Sequence, residues 1–176
     1  MNRKIVVEKI SDIDILEDKL VKSAKETHLK LTQFCNSLSE FQLLYQLKFC
    51  DSGRDPLENR NLNLIEQLNQ QFTYKLTFIA AKWLLKKHPN NVPLILCLGT
   101  ESGTDIFSKD GVVAAEVFTT SNPKNNQKMK KDIIKVSECK SQFKYVFYHS
   151  PIRDKAEERY KNLFPDVDIV FIEGIE

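Results

Sequence analysis

Two acidic residues spaced for chemistry, Asp105 and Glu116, lie in the stretch GTDIFSKDGVVAAEVFTTSNPKNNQKMKK, residues 103–131. Asp110-Gly111, flanked on both sides by apolar-rich sequence, is a strong signal for a two-residue hairpin turn. Centring the turn there sets Lys109 against Val112, Phe107 against Ala114 and Asp105 against Glu116 on the same side of the ribbon. Directly opposed side chains have Cβ atoms roughly 4.5–5.5 Å apart, and like charges so placed repel. The residues around Glu116 (Val112, Val113, Ala114, Ala115, Val117, Phe118) are apolar on both faces, which predicts a central, covered strand. A carboxylate there needs a partner, a proton or a metal. Two solvated acids at a sheet edge would be the plainer reading, but the apolar flanks argue against it. A hard divalent cation held by one or two carboxylates and water answers the need and suits phosphate-containing substrates.

The elements that must position these acids follow from period and punctuation. A chain of 176 residues predicts a single domain, with residues 1–60 as an N-terminal helical region and 61–176 as an α/β core. Residues 4–7 read as a short strand or an unstructured lead. Over residues 15–49 apolar side chains recur at three- and four-residue spacing. This predicts one or two amphipathic helices, capped by Ser11, Asp12 or Asp14 and broken near residues 36–39. Their stripe suits a core or a dimer surface. Residues 50–63 carry Gly53, Pro56 and many polar groups and read as a loop with solvated charges. Residues 64–87 form a second helix with Ile65, Leu68, Phe72, Leu76, Ile79, Ala80, Trp83 and Leu84 on one face, ended by the Pro89 and Asn90-Asn91 turn signal. Glu66 falls in its first turn, where the helix dipole favours a carboxylate.

From Pro93 the period changes. LILCL is a covered strand, the hairpin follows, and residues 125–139 form a helix with Met129, Ile133, Ile134 and Val136 inward. FKYVFY is a strand, residues 154–164 a helix and VDIVFI a last strand. The order predicts an α/β fold with a mixed central sheet flanked by helices.

Bulk properties narrow the function classes. Hydrophobic content of 41% and charged content of 28% are those of an ordinary globular protein, and a net charge of +2 makes any attraction to nucleic acid local. No apolar run reaches a membrane span, and the start MNRKIVVEKISD does not read as a signal peptide, so a cytoplasmic protein without membrane contact is expected. Cys35, Cys50, Cys97 and Cys139 lack metal-ligand spacing and predict reduced, mostly buried thiols. His28, His88 and His149 read as surface or loop residues.

A helix bearing an acid, a strand, a hairpin carrying Asp105 and then Glu116-Val117-Phe118, a crossover helix and a further strand together resemble the PD-(D/E)XK nuclease superfamily over residues 62–148. The resemblance implies a restriction-endonuclease-like core in which Asp105 and Glu116 bind magnesium, or manganese, with support from Glu66. The bound metal would activate water to hydrolyse DNA phosphodiester bonds. The family's lysine, two residues after the glutamate, is Phe118 here; Lys128 or Lys124, at the start of the next helix, would take its place, with Gln127 able to add a hydrogen bond. Lys124, Lys128, Lys130, Lys131, Lys135 and Lys140 would attract the DNA backbone, although such a run also suits a solvated helix face. The resemblance further implies a homodimer. An alternative is a catalytically inactive module of the same fold that binds nucleic acid or a protein partner.

Overall fold

The structure, a computed structural model, describes residues 4–99, 103–122 and 127–175. The chain divides into two compact units, one formed by residues 14–75 and the other by the remainder.

The larger unit is built on a six-stranded sheet. Its strands are β1 (Lys4–Val7), β4 (Leu94–Cys97), β5 (Ile106–Ser108), β6 (Val113–Thr119), β7 (Phe143–His149) and β8 (Val167–Phe171), in that spatial order. The first three pairings, β1 with β4, β4 with β5 and β5 with β6, are antiparallel, whereas β6–β7 and β7–β8 are parallel. The mixed sheet follows from the connections. A tight turn can only reverse the chain, whereas β6 reaches its parallel neighbour through the helix α4 (Lys128–Ser137). A second crossover, containing α5 (Glu157–Leu163), leads to β8. The fold is α/β with a mixed central sheet, as the order of elements predicts.

Helices cover both faces of that sheet. On one, Trp83 of α3 (Leu64–Lys87) meets Tyr145 and Phe147 edge-on, with ring centroids 5.4 and 5.3 Å away. On the other, Met129, Ile133 and Val136 of α4 pack against Ala114, Phe118, Val146 and Tyr148. Alternation along β7 sends Tyr145 and Phe147 one way and Val146 and Tyr148 the other, so each strand of this region feeds two cores. Every residue of β6 from Val113 to Phe118 is buried, which makes it the covered central strand its sequence predicts.

The smaller unit contains most of α1 (Ile10–Ser37), α2 (Glu40–Phe49), the two-stranded ribbon of β2 (Gly53–Arg54) and β3 (Asn61–Leu62), and the first half of α3. The helix break falls at residues 38–39, where the Ser39 N–H donates to the Gln42 side chain at 3.2 Å and starts a new helix. Ser23 is the polar centre of this unit: its hydroxyl donates to the Arg54 carbonyl and accepts from Gln67 and Gln71 at 2.9 and 3.0 Å.

Several expectations need correction. The first helix begins at Ile10, earlier than its apolar period suggests, because Asp12 Oδ2 accepts the backbone N–H groups of Glu8 and Lys9 at 2.9 and 3.1 Å. Asp55 is buried and not solvated; its Oδ1 accepts the N–H groups of Leu57 and Glu58 and folds the ribbon's tip. Ile65, Leu68 and Phe72 are exposed, so the inward face of α3 is set by Tyr74, Leu76, Phe78, Ala80, Ala81 and Leu84. All four cysteines are free thiols, but only Cys97 is buried. His88 is buried against Phe143, with Nε2 2.8 Å from the Tyr145 hydroxyl, and this burial holds its pKa below the usual histidine range.

Candidate active site

The hairpin has the register that its turn chemistry predicts. Phe107 pairs with Ala114 and Ile106 with Ala115, and the chain reverses through Lys109–Val112. Gly111 takes φ of +76°, and its N–H donates to the Ser108 carbonyl at 2.8 Å. One step beyond the paired residues, the same register brings Asp105 to Glu116. The Val117 N–H donates to Asp105 Oδ2 at 2.7 Å and ties the acid to β6.

Glu116 is 1% exposed and points between Ala114 and Phe118 toward α4. There it meets an amine: Lys135 Nζ lies 2.8 Å from Oε1 and 2.9 Å from Oε2. The contact with Oε2 is an aligned hydrogen bond, whereas Oε1 has only the close approach of opposite charges. Half of the Lys135 side chain remains open to solvent. It thus joins a buried acid to the surface.

One turn away on α4, Asp132 is 3% exposed, and its Oδ1 accepts from Lys128 Nζ at 2.7 Å. Its Oδ2 is buried with no hydrogen-bond partner among the described residues. Helical spacing explains the arrangement: Met129, Ile133 and Val136 form the stripe that packs on the sheet, and Lys128, Asp132 and Lys135 form the adjoining stripe beside the two strand-borne acids.

Two buried carboxylates, Glu116 and Asp132, and the half-buried Asp105 therefore face two lysines, and their ionisation shows the strain. Burial pushes Glu116 up to about 7, and the Asp105 charge pushes the same way, against Lys135. Asp105 is also raised by burial, against the Val117 N–H and the two lysines. Burial raises Asp132 as well, with Lys128 opposing. For Lys135, burial favours the neutral amine, but its hydrogen bond to Glu116 and the charges of Glu116, Asp105 and Asp132 outweigh it and hold the pKa above the usual lysine range.

Phe118 lies in the core. Its ring stacks on Tyr148 with centroids 5.7 Å apart, and Lys128 Nζ sits 6.0 Å from its centre. The lysine that reaches Glu116 is Lys135, and Lys128, expected there from its position, is held by Asp132. Asp132 was not foreseen at all. Its signal was an acid at the edge of an apolar helical stripe, four residues after one lysine and three before another. Lys130 and Lys131 are exposed. Lys124 lies outside the described residues, as do Asn125 and Asn126. Gln127 stands at the start of α4 with φ of +53° and makes no side-chain cap. Glu66 is exposed in the first turn of α3, within the smaller unit, where its N–H donates to Asn63 Oδ1 at 3.0 Å. His149 Nδ1 lies 2.8 Å from the Ile172 carbonyl and has no part in the site.

The donor set at Asp105 and Glu116 fits a hard divalent cation, because a half-buried and a buried carboxylate side by side cannot both ionise freely and would be relieved by one. Among the described residues no group of three or more His, Cys, Asp or Glu side chains is arranged to hold a metal ion. A cation would rest on this pair and water, the manner in which magnesium is commonly held. A scan against protein-family models, a search of curated proteins and a search of solved structures each found no match.

Proposed function

We propose that the chain is a magnesium-dependent endonuclease that hydrolyses DNA phosphodiester bonds with a restriction-endonuclease-like arrangement of groups. The observation that carries this reading is the Lys135 amine on Glu116 beside Asp105. Two acids and an amine meet on one face of the sheet, the amine coming from α4 and not from the strand position that Phe118 occupies. A divalent cation on the acid pair would supply positive charge at the phosphate and a more acidic water. Lys135 contributes a donor for a phosphate oxygen or for the attacking water. Asp132 holds Lys128 beside the same acids, and the exposed Lys130 and Lys131 add attraction to the backbone of the nucleic acid.

The test is cleavage of a mixed-sequence plasmid by purified protein with magnesium, manganese or EDTA, beside Glu116→Ala prepared identically. Cutting that requires metal and is abolished by the substitution is expected. Folded protein that cuts neither DNA nor an RNA control would overturn the nuclease and leave a module of this fold that binds without turnover.

A further inference from the structure

Lys135 holds Glu116 much as a metal ion would. Its Nζ lies 2.8 Å from Oε1 and 2.9 Å from Oε2, so one positive charge spans both oxygens of a carboxylate that is 1% exposed. The charges of Asp105 and Asp132 act on the same amine. A divalent ion on the Glu116–Asp105 pair would meet that ammonium at contact range, where like charges in poorly screened surroundings repel strongly. We infer that Lys135 is the displaceable counter-ion of this site: it stands on Glu116 until a divalent cation takes the acid pair, then moves to the unpartnered oxygen of Asp132. The inference rests on the cation of the proposed function, though not on cleavage.

Two features support the exchange. The first is that one partner can leave and the other cannot. Lys135 lies in the last turn of α4, and its side chain is 46% exposed on a flexible four-carbon stem. Glu116 is fixed in β6, in register with Val146 of β7. The amine can therefore withdraw through solvent while the carboxylate stays in place.

The second feature is a place to go. Asp132 precedes Lys135 by three residues on the same helix, a spacing at which side chains are neighbours. Its Oδ1 accepts from Lys128 Nζ at 2.7 Å, whereas its Oδ2 is buried with no hydrogen-bond partner among the described residues. A buried acceptor left without a donor is costly, and the Lys135 amine would satisfy it. Glu116 Oε1 also lacks a hydrogen bond. Both oxygens gain a partner in the exchange, one the amine and the other the cation.

Calorimetric titration of magnesium into the purified chain at about pH 8.5, above the value near 7 at which Glu116 ionises, tests the inference. Lys135→Met should bind magnesium at least about tenfold more tightly than the native chain, because no amine has first to be displaced. Lys128→Met should change the affinity by less than about threefold, since that amine does not stand on Glu116. Lys135→Arg keeps the charge but grips both carboxylate oxygens with a planar fork, so it should bind magnesium at least about threefold more weakly. Asp132→Asn should weaken binding in the native chain and do so by a smaller factor once Lys135 is replaced by methionine. Circular dichroism should be unchanged in each variant. Absence of magnesium binding in every chain, a Lys135→Met variant that binds no more tightly, a Lys135→Arg variant equal to the native chain, or an Asp132→Asn effect equal in both backgrounds would each overturn it. Plasmid cleavage separates this outcome from that of the nuclease. A chain that exchanges Lys135 for magnesium without cutting overturns the nuclease alone, and one that cuts while Lys135→Met leaves magnesium affinity unchanged overturns the exchange alone.

Discussion

At the scale of the residue, the question is which amine serves Glu116. Lys135 has both carboxylate oxygens within reach, whereas Lys128 is held by Asp132. On the proposed activity, Lys135→Met should lower plasmid cleavage by about 100-fold or more, the usual cost of removing a donor aimed at developing charge. Lys128→Met should lower it far less, and single-turnover rates with saturating enzyme would separate that effect from weaker binding. The burial of Glu116 gives stability a pH dependence, against the pull of Lys135. Glu116 ionises near 7 in the folded chain, against an ordinary value of 4.5. Between those values the folded state holds more protons than the unfolded one, so stability falls as pH rises and levels off above about 7. The raised pKa values of Asp105 and Asp132 act in the same direction. Urea unfolding from pH 5 to 8 should show this fall, and Glu116→Gln should remove most of it. An unchanged slope in the variant would place the titrating group elsewhere.

At the scale of the element, close approach decides which residues are replaceable. The strand β2 passes so near α3 that a Cβ added at Gly53 would lie 2.6 Å from Gln67 Oε1 and 2.7 Å from its Cδ. Gln67 is buried and its amide is committed to Ser23, so it cannot swing away. Gly53→Ala should therefore destabilise the chain by about 1–3 kcal/mol, the usual cost of overpacking. Gly103 has open space around it but φ of +101°, so substitution there is opposed by backbone conformation and not by contact. Chemical denaturation of the Gly53 variant measures the first effect; a change below about 0.5 kcal/mol would mean that Gln67 yields.

At the scale of the whole molecule, a net charge of +2 is too small to steer a polyanion, so any attraction to one would have to come from where the lysines stand. Lys130 and Lys131 are exposed near a site whose other two lysines are held by acids. If they contact phosphates, replacing both with alanine should weaken binding to any duplex alike and reduce the slope of log affinity against log salt by about 1.8. Fluorescence anisotropy between about 50 and 200 mM salt reads both quantities. An unchanged slope would confine the phosphate contacts to other residues. None of the described helices is long and apolar enough to cross a membrane.

The sequence by itself determined what local chemistry can determine. Asp110-Gly111 dictates a tight turn, a strand alternates with period two, and together they place Asp105 beside Glu116 without reference to the rest of the chain. The limits of α3, the covered character of β6 and the change from antiparallel hairpin to helical crossover were legible for the same reason. Only the tertiary structure decided which groups approach Glu116 from outside the hairpin. That choice depends on the rotation of α4 about its own axis, which is set when Met129, Ile133 and Val136 find their places on Ala114, Phe118 and Tyr148. One residue's difference in that phase turns a helix by about 100°, enough to exchange Lys135 for another lysine. The burial of Asp55 and His88 and the exposure of Ile65, Leu68 and Phe72 have the same origin. Apolar period says that a helix has a buried face, while the surface it meets determines how far that face extends.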